Sequence, residues 1–265
     1  MMKNFYSKFT LKKKTILVVG GSGQLGVKTI EILINAGANI LNLDIFDKKK
    51  FKSKNYTFYK CDITNESEVE KTKNTIKKKF KSINALINHS HYKGDPKNLK
   101  PFHGFFSKVE NYSTDIWKKT IDVNLNGLFF TTRSFLPMLL KNKRSVILNT
   151  SSTYGKVSPN KSIYGNSGIN SPIGYATTKS AIIGFTKYLA CHYADRGLRA
   201  NILIPGGISN SKQKSKSKKN YAKLTPLGKM SDNSDYMETV LFMVSDASLY
   251  MTGAEVVVDG GFTSW

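Results

Sequence analysis

The chain has 265 residues, 40% of them apolar and spread throughout, which is enough for one sizeable core and a single domain. No uninterrupted apolar run reaches the roughly 18 residues that span a bilayer, and no signal pattern opens the sequence, so a cytoplasmic protein with no membrane partner is expected. The net charge of +23 would ordinarily point to nucleic acid. Its lysines are scattered over nearly every expected surface helix and loop (Lys12 to Lys14, Lys48 to Lys50, Lys77 to Lys79) instead of forming a stripe, so no nucleic-acid partner is expected. The two cysteines, Cys61 and Cys191, match no metal spacing and read as reduced structural thiols.

Residues 1–14 form a basic lead-in expected to be loosely ordered. Thr15 to Val19 is a short β-branched run, read as a strand buried on both faces, and it empties into Gly20-Gly21-Ser22-Gly23-Gln24-Leu25-Gly26. A helix pattern follows from Leu25 to Ala36. Strand, glycine turn and helix together make a phosphate site, because the glycines admit the pyrophosphate and the amides at the helix start face it. Ala38 to Asp44 is a second strand, ending in an acid 18 residues after Gly26. Asp44 is placed to accept from both ribose hydroxyls of an adenosine and to repel a 2′-phosphate, which favours NAD over NADP. Tyr56 to Lys60 reads as a third strand, closed by Cys61-Asp62-Ile63-Thr64. Asp62 either contacts the adenine end or begins a turn and caps the helix expected from Asn65 to Lys81.

Ile83 to Asn88 is a fourth strand, with His89, Ser90 and His91 at its carboxyl end, where open α/β sheets bind ligands. Two histidines one residue apart, with no carboxylate or cysteine cluster beside them, do not make a metal site, and no metal is expected. A helix begins near Ser113 or Thr114 and runs through Asn124 into an apolar stretch that Pro137 should bend or end. Asn124 on such a face needs a polar partner. Ser145 to Thr150 is a fifth strand delivering Ser151 and Ser152, and Ile173 to Arg196 is a long helix. Arg199 to Ile204 is a sixth strand, ended by Pro205-Gly206-Gly207-Ile208. Asp232 to Ser245 is a last helix pattern and Ala254 to Val258 a last strand. Alternating strands and helices imply right-handed crossovers and a parallel sheet with helices on both faces.

On the long helix, Tyr175 and Lys179 stand four apart on one face, so an ammonium can sit near a phenol and favour its ionised form. A serine hydroxyl beside that phenol can hold a substrate oxygen while a proton moves. Pairs of this kind occur on many solvated helix faces; the rest of the chain gives this one its meaning.

In order along the chain, Gly20, Gly23 and Gly26, then Asp44, Asp62, Asn88, Asn124, Ser152, Tyr175, Lys179 and Pro205-Gly206 resemble the short-chain dehydrogenase/reductase family from Thr15 to Trp265. The resemblance implies an α/β fold, a doubly wound, seven-stranded parallel sheet of Rossmann-like type. It also implies a catalytic tetrad of Asn124, Ser152, Tyr175 and Lys179. Tyr175 would exchange the proton with the substrate oxygen and Ser152 would steady that oxygen. Lys179 would lower the tyrosine pKa and bind the nicotinamide ribose, and Asn124 would hold a water linking Lys179 to solvent. The cofactor contacts implied are Gly20, Ser22, Gly23, Gln24, Leu25, Gly26, Asp44, Asp62, Ile63, Asn88, Tyr175, Lys179, Pro205, Gly206 and Ile208. Ser152 is chosen over Ser151 because the family's serine stands three before a glycine, here Gly155. Homodimers or homotetramers are usual in the family.

The chain departs from the family where Asn-Asn-Ala-Gly becomes Asn88-His89-Ser90-His91, which crowds the floor of the cofactor site. The usual threonine before the first glycine is Val19. The spacer of 22 residues between Ser152 and Tyr175 is longer than usual. That spacer and the ending Phe262-Thr263-Ser264-Trp265 resemble a subgroup with bacterial surface-glycan and flagellin-modification functions, which implies a sugar or nucleotide-sugar substrate. The run from Lys212 to Lys219 reads either as a solvated loop or as a mobile lid closing over an anionic sugar derivative. The leading expectation is an NAD(H)-dependent oxidoreductase for a secondary alcohol or ketone. A 3-oxoacyl-carrier reductase using NADPH and a non-catalytic nucleotide-binding module are the alternatives.

Overall fold

The computed structural model describes residues 7–92, 94–95, 104–169, 171–210, 213 and 215–265. Seven parallel strands make one sheet in the order β3-β2-β1-β4-β5-β6-β7. They are β1 (Thr15–Val19), β2 (Asn39–Asp44), β3 (Tyr56–Lys60), β4 (Ala85–Asn88), β5 (Ser145–Thr150), β6 (Leu198–Pro205) and β7 (Glu255–Val258). The helices are α1 (Gln24–Asn35), α2 (Glu66–Lys79), α3 (Thr114–Ile121), α4 (Gly127–Leu139), α5 (Ile173–His192), α6 (Ser215–Lys223) and α7 (Met237–Val244).

The two-residue period of a strand splits β1 between two cores. Ile16 and Val18 pack with Ile30 and Leu33 of α1 and with Val240 and Met243 of α7. Leu17 and Val19 face the other layer, with Ile76 of α2, Phe135 and Leu139 of α4 and Leu189 of α5. Every β1 residue is therefore buried, which is why the segment reads as an unbroken apolar run.

Strand order reverses between β1 and β4, the place where sheets of this type open a crevice at their carboxyl ends. Val19 pairs with Asn88, and Asn88 with Asn149, so the three central strands end level. Asn88 Nδ2 donates to Asn149 Oδ1 at 2.7 Å and Asn149 Nδ2 to Thr186 Oγ1 at 2.9 Å, tying β4, β5 and α5 together inside the core.

Four expectations are corrected. The lead-in is anchored before β1: Leu11 is fully buried, its N–H donates to Ala36 O, and Lys14 pairs with Asp246. The cap of α2 is Asn65, whose side chain accepts from the Glu68 amide, while Asp62 accepts from the amide and hydroxyl of Thr64 in the preceding turn. The helix through Asn124 is broken by a π-turn at Asp122–Asn126, and Pro137 lies inside α4 without ending it. Lysine-rich residues 215–223 form α6, anchored by the buried Tyr221; Lys212 and Lys214 lie outside the described residues.

Candidate active site

The glycine turn is shaped by contact. Gly20 has φ +78°, and a Cβ there would fall 2.6 Å from Ser90 N, so the turn lies directly against the backbone that follows β4. A Cβ on Gly26 would meet Gly20 O at 2.3 Å, which lets α1 start hard against the turn. No side chain caps α1 at Gly23, which leaves the first amides, at Gln24 and Leu25, uncapped as an anion site needs. Ser22 N donates to Asp44 Oδ2 at 2.9 Å and Ile45 N to Asp44 Oδ1 at 2.8 Å, fixing the carboxylate against the turn. Cradle, open helix start and oriented acid fit a dinucleotide.

Across the crevice, Ser151 and Ser152 separate clearly. Ser151 Oγ donates to Lys179 O at 2.7 Å and is locked onto the backbone of α5. The Ser152 hydroxyl instead accepts from Tyr154 N at 3.2 Å and lies close enough to Tyr175 to favour its ionised form. Lys179 is almost wholly buried, its Nζ 2.8 Å from Thr150 O and 5.6 Å from the centre of the Tyr175 ring.

Burial is the largest influence on Tyr175 and raises it above a phenol's usual range; the neighbouring Ser152 hydroxyl pulls it back, and Tyr164 raises it again. The expected lowering by Lys179 does not prevail. Burial drags Lys179 itself down to about 7, so near neutrality its positive charge is only partial. In this state Tyr175 is a proton donor first.

Asn124 finds the partners it needs: its Oδ1 accepts from Tyr92 N at 2.8 Å, and its Nδ2 donates to Thr178 Oγ1 at 2.9 Å. Its side chain thus joins the segment after β4 to the turn of α5 that carries Tyr175. Gly206 N donates to Val258 O, Ile208 bridges Ser231, and Gly207 N donates to Tyr221 Oη at 2.7 Å, so the end of β6 is tied to α6. Asp62 is exposed and Ile63 buried at the edge of the crevice nearest β3.

Two histidines have surroundings that the sequence does not reveal. His89 is fully enclosed, with Nε2 3.0 Å from Thr29 Oγ1 of α1 and Nδ1 2.7 Å from Thr150 Oγ1 of β5. Burial first, and the nearby Lys179 second, hold it neutral with a pKa near about 3. His91 stands beside Tyr175, ring centres 6.1 Å apart. Their position after a central strand is the available signal, which the sequence supports only as a discounted metal pair and as crowding of the cofactor floor. Tyr221 stacks on Phe262 at 4.6 Å and packs with Ile163, Tyr154 and Tyr164, so the long spacer, α6 and the C-terminal segment share one aromatic wall.

The family model described as enoyl-(acyl carrier protein) reductase matches residues 24–263. A sorbose reductase of Candida albicans is 30% identical, covering 98% of this chain and 90% of its own length. A 3-oxoacyl-[acyl-carrier-protein] reductase of Thermotoga maritima is 27% identical, covering 95% and 98%. The crystal structure of a short-chain dehydrogenase from Leptospira borgpetersenii with bound NAD+ superposes with a TM-score of 0.88 at 33% identity, covering 99% of this chain and 97% of that one. The match over nearly the whole length identifies the chain as a member of the short-chain dehydrogenase/reductase family, an NAD(P)-dependent oxidoreductase acting on alcohols and ketones.

Proposed function

We propose that the enzyme interconverts a secondary alcohol and a ketone on a sugar-type substrate, using NAD(H) in preference to NADP(H). The observation that carries this reading is the buried Lys179 ammonium 5.6 Å from the Tyr175 ring, with Ser152 beside that phenol, set at the strand-end edge across from the glycine turn and Asp44. The nicotinamide cofactor, when bound, supplies the hydride chemistry. The chain's own groups do the rest. The turn at Gly20 to Gly26 and the start of α1 hold the pyrophosphate, and the fixed Asp44 carboxylate accepts from ribose hydroxyls. Ser152 donates to the substrate oxygen, and Tyr175 gives it a proton during ketone reduction or takes one during alcohol oxidation. Lys179 serves the nicotinamide ribose, and Asn124 keeps the helix turn beneath Tyr175 in place.

A sugar derivative is supported by the sorbose reductase relative and by the aromatic wall that the long spacer adds. The same spacer and the Phe262 ending support a role in surface-glycan synthesis. We assign an anionic substrate on the strength of the lysines on α6, and a homodimer or homotetramer as the working assembly. The acyl-carrier reductase among the relatives favours one rival, an NADPH-dependent 3-oxoacyl reductase. Titration with NADH and NADPH, followed by a panel of sugar alcohols and 3-oxoacyl thioesters, separates them. The expected result is tighter NADH binding and turnover of a sugar alcohol; preference for NADPH with thioester reduction would overturn the proposal. Asp44→Ser should shrink the NAD-over-NADP ratio, and an unchanged ratio would remove Asp44 as its cause.

A further inference from the structure

The segment that follows β6 lies between the reacting edge and α6. Leu203 pairs with Thr150, and β6 runs on to Pro205, so residues 206–208 leave the sheet beside the strand that delivers Ser152. Two of these three are glycines, which have the most backbone freedom to lose. The segment is tied down all the same. Gly206 N donates to Val258 O, Gly206 O accepts from Tyr236 Oη at 3.3 Å, and Gly207 O accepts from the amide and the hydroxyl of Ser231, each at 3.1 Å. The Gly207 amide is held by α6, donating to Tyr221 Oη at 2.7 Å. Glycine and tyrosine require each other here. A Cβ on Gly207 would lie 2.5 Å from Tyr221 Cζ, so glycine lets the ring approach, and the hydroxyl of that ring then removes the freedom that glycine brings. Packing places the ring, which is buried and stacked on Phe262 at 4.6 Å with 4° between the planes.

Strand order decides which end of a dinucleotide this segment meets. The glycine turn after β1 cradles the pyrophosphate, and Asp44, at the end of β2, takes the adenosine ribose. β2 lies on one side of β1, and β4, β5 and β6 lie on the other. The nicotinamide end therefore extends over the ends of β4 to β6, where Ser152 and residues 206–208 stand. We infer that Tyr221 is a positioning residue for the nicotinamide end of the cofactor: by holding the Gly207 amide it fixes residues 206–208 in the shape that end requires before it arrives. Preorganisation of this kind raises affinity, because binding is spared the ordering of a segment with two glycines. This rests on the dinucleotide placement proposed above and extends it to a side chain of α6.

The test measures dissociation constants for NADH, NADPH and ADP-ribose in the wild-type protein and in Tyr221→Phe, with melting temperatures alongside. ADP-ribose keeps the adenosine, the pyrophosphate and a second ribose but lacks the nicotinamide. Phenylalanine keeps the ring on Phe262 and against Gly207 and removes the hydroxyl alone. The cofactor that the wild type binds more tightly, expected to be NADH, should bind the variant about fivefold or more weakly, as one lost hydrogen bond implies, while ADP-ribose stays within about twofold. An equal loss for both ligands would make Tyr221 a general support of the crevice. An unchanged cofactor affinity, whatever the melting temperature, would show that residues 206–208 hold themselves. Either result overturns the inference while leaving the oxidoreductase reading intact. A wild-type protein that binds neither NADH nor NADPH would instead bring down the cofactor placement and the inference with it.

Discussion

Tyr175 and Lys179 sit four residues apart on α5, yet the electrostatics of the pair run opposite to what spacing alone implies. Spacing shows that an ammonium lies near a phenol; it does not show that both are buried, with the ammonium turned towards the Thr150 carbonyl. Burial disfavours the charged form of each, so Tyr175 moves up and Lys179 down to about 7. Ketone reduction needs the phenol and alcohol oxidation the phenolate. Oxidation should therefore rise as pH increases from neutrality towards the phenol's range, while reduction stays level until that range is reached, measured as kcat in the two directions. Tyr175→Phe should lower turnover about 10² to 10⁴-fold with the fold and NAD binding retained. Near-full activity would remove Tyr175 from the chemistry. His89 gives a stability prediction of definite sign. Its folded pKa of about 3 lies below the ordinary 6.5, so the unfolded chain binds the proton first on acidification. Its contribution is complete above about 6.5 and is lost as pH falls towards 3, on the order of a few kcal/mol. His89→Asn should flatten the melting-temperature profile across that window; an unchanged slope would assign acid sensitivity elsewhere.

At the scale of elements, α6 and the long spacer depend on each other. Asn220 Nδ2 donates to Ser162 O and Ile163 O, and Tyr221 packs on Ile163 and Phe262. Asn220→Ala removes only these hydrogen bonds, worth about 1 kcal/mol. The expected result is a small drop in melting temperature, faster proteolytic cleavage between residues 156 and 172, and a higher KM. Unchanged cleavage and KM would show that the spacer holds itself. The sequence concealed this helix for a physical reason. Residues 215–223 contain four lysines, two serines and one large apolar residue, so there is no periodic face to read, and the helix exists because Tyr221 has a pocket. The β-strands were legible for the converse reason, being apolar runs bounded by turn residues. The π-turn at Asp122–Asn126 was not, because the extra residue turns Asn124 inwards only once Thr178 and Tyr92 are in place to meet it. Among the candidate site residues, order and spacing single out Ser152, Tyr175 and Asp44, and the structure brings them to the strand-end edge of one sheet. His89 could not be given a task, since its own is defined by Thr29 and Thr150, which only the fold brings to its two ring nitrogens.

Over the whole molecule, the excess of positive charge acts on any charged substrate approaching the crevice, whatever the local contacts. Within that field α6 has a particular place. It packs against the spacer that borders the site, and it carries Lys216, Lys218 and Lys219 on a helix, which fixes their charges relative to the pocket better than a mobile loop would. General attraction by a lysine-rich surface and specific attraction by α6 respond alike to salt, since both are screened within about 8 to 10 Å at ordinary ionic strength. They differ in response to mutation. If α6 and the segment before it guide an anionic sugar derivative, the KM for that substrate should rise with ionic strength and hardly move for a neutral sugar alcohol. Replacing Lys212, Lys214, Lys216, Lys218 and Lys219 with serine should reproduce the rise at low salt, with little loss of NAD binding. A KM for the anionic substrate that still climbs with salt in the five-fold variant, from an unaltered low-salt value, would assign the attraction to the rest of the surface and leave α6 only its packing role.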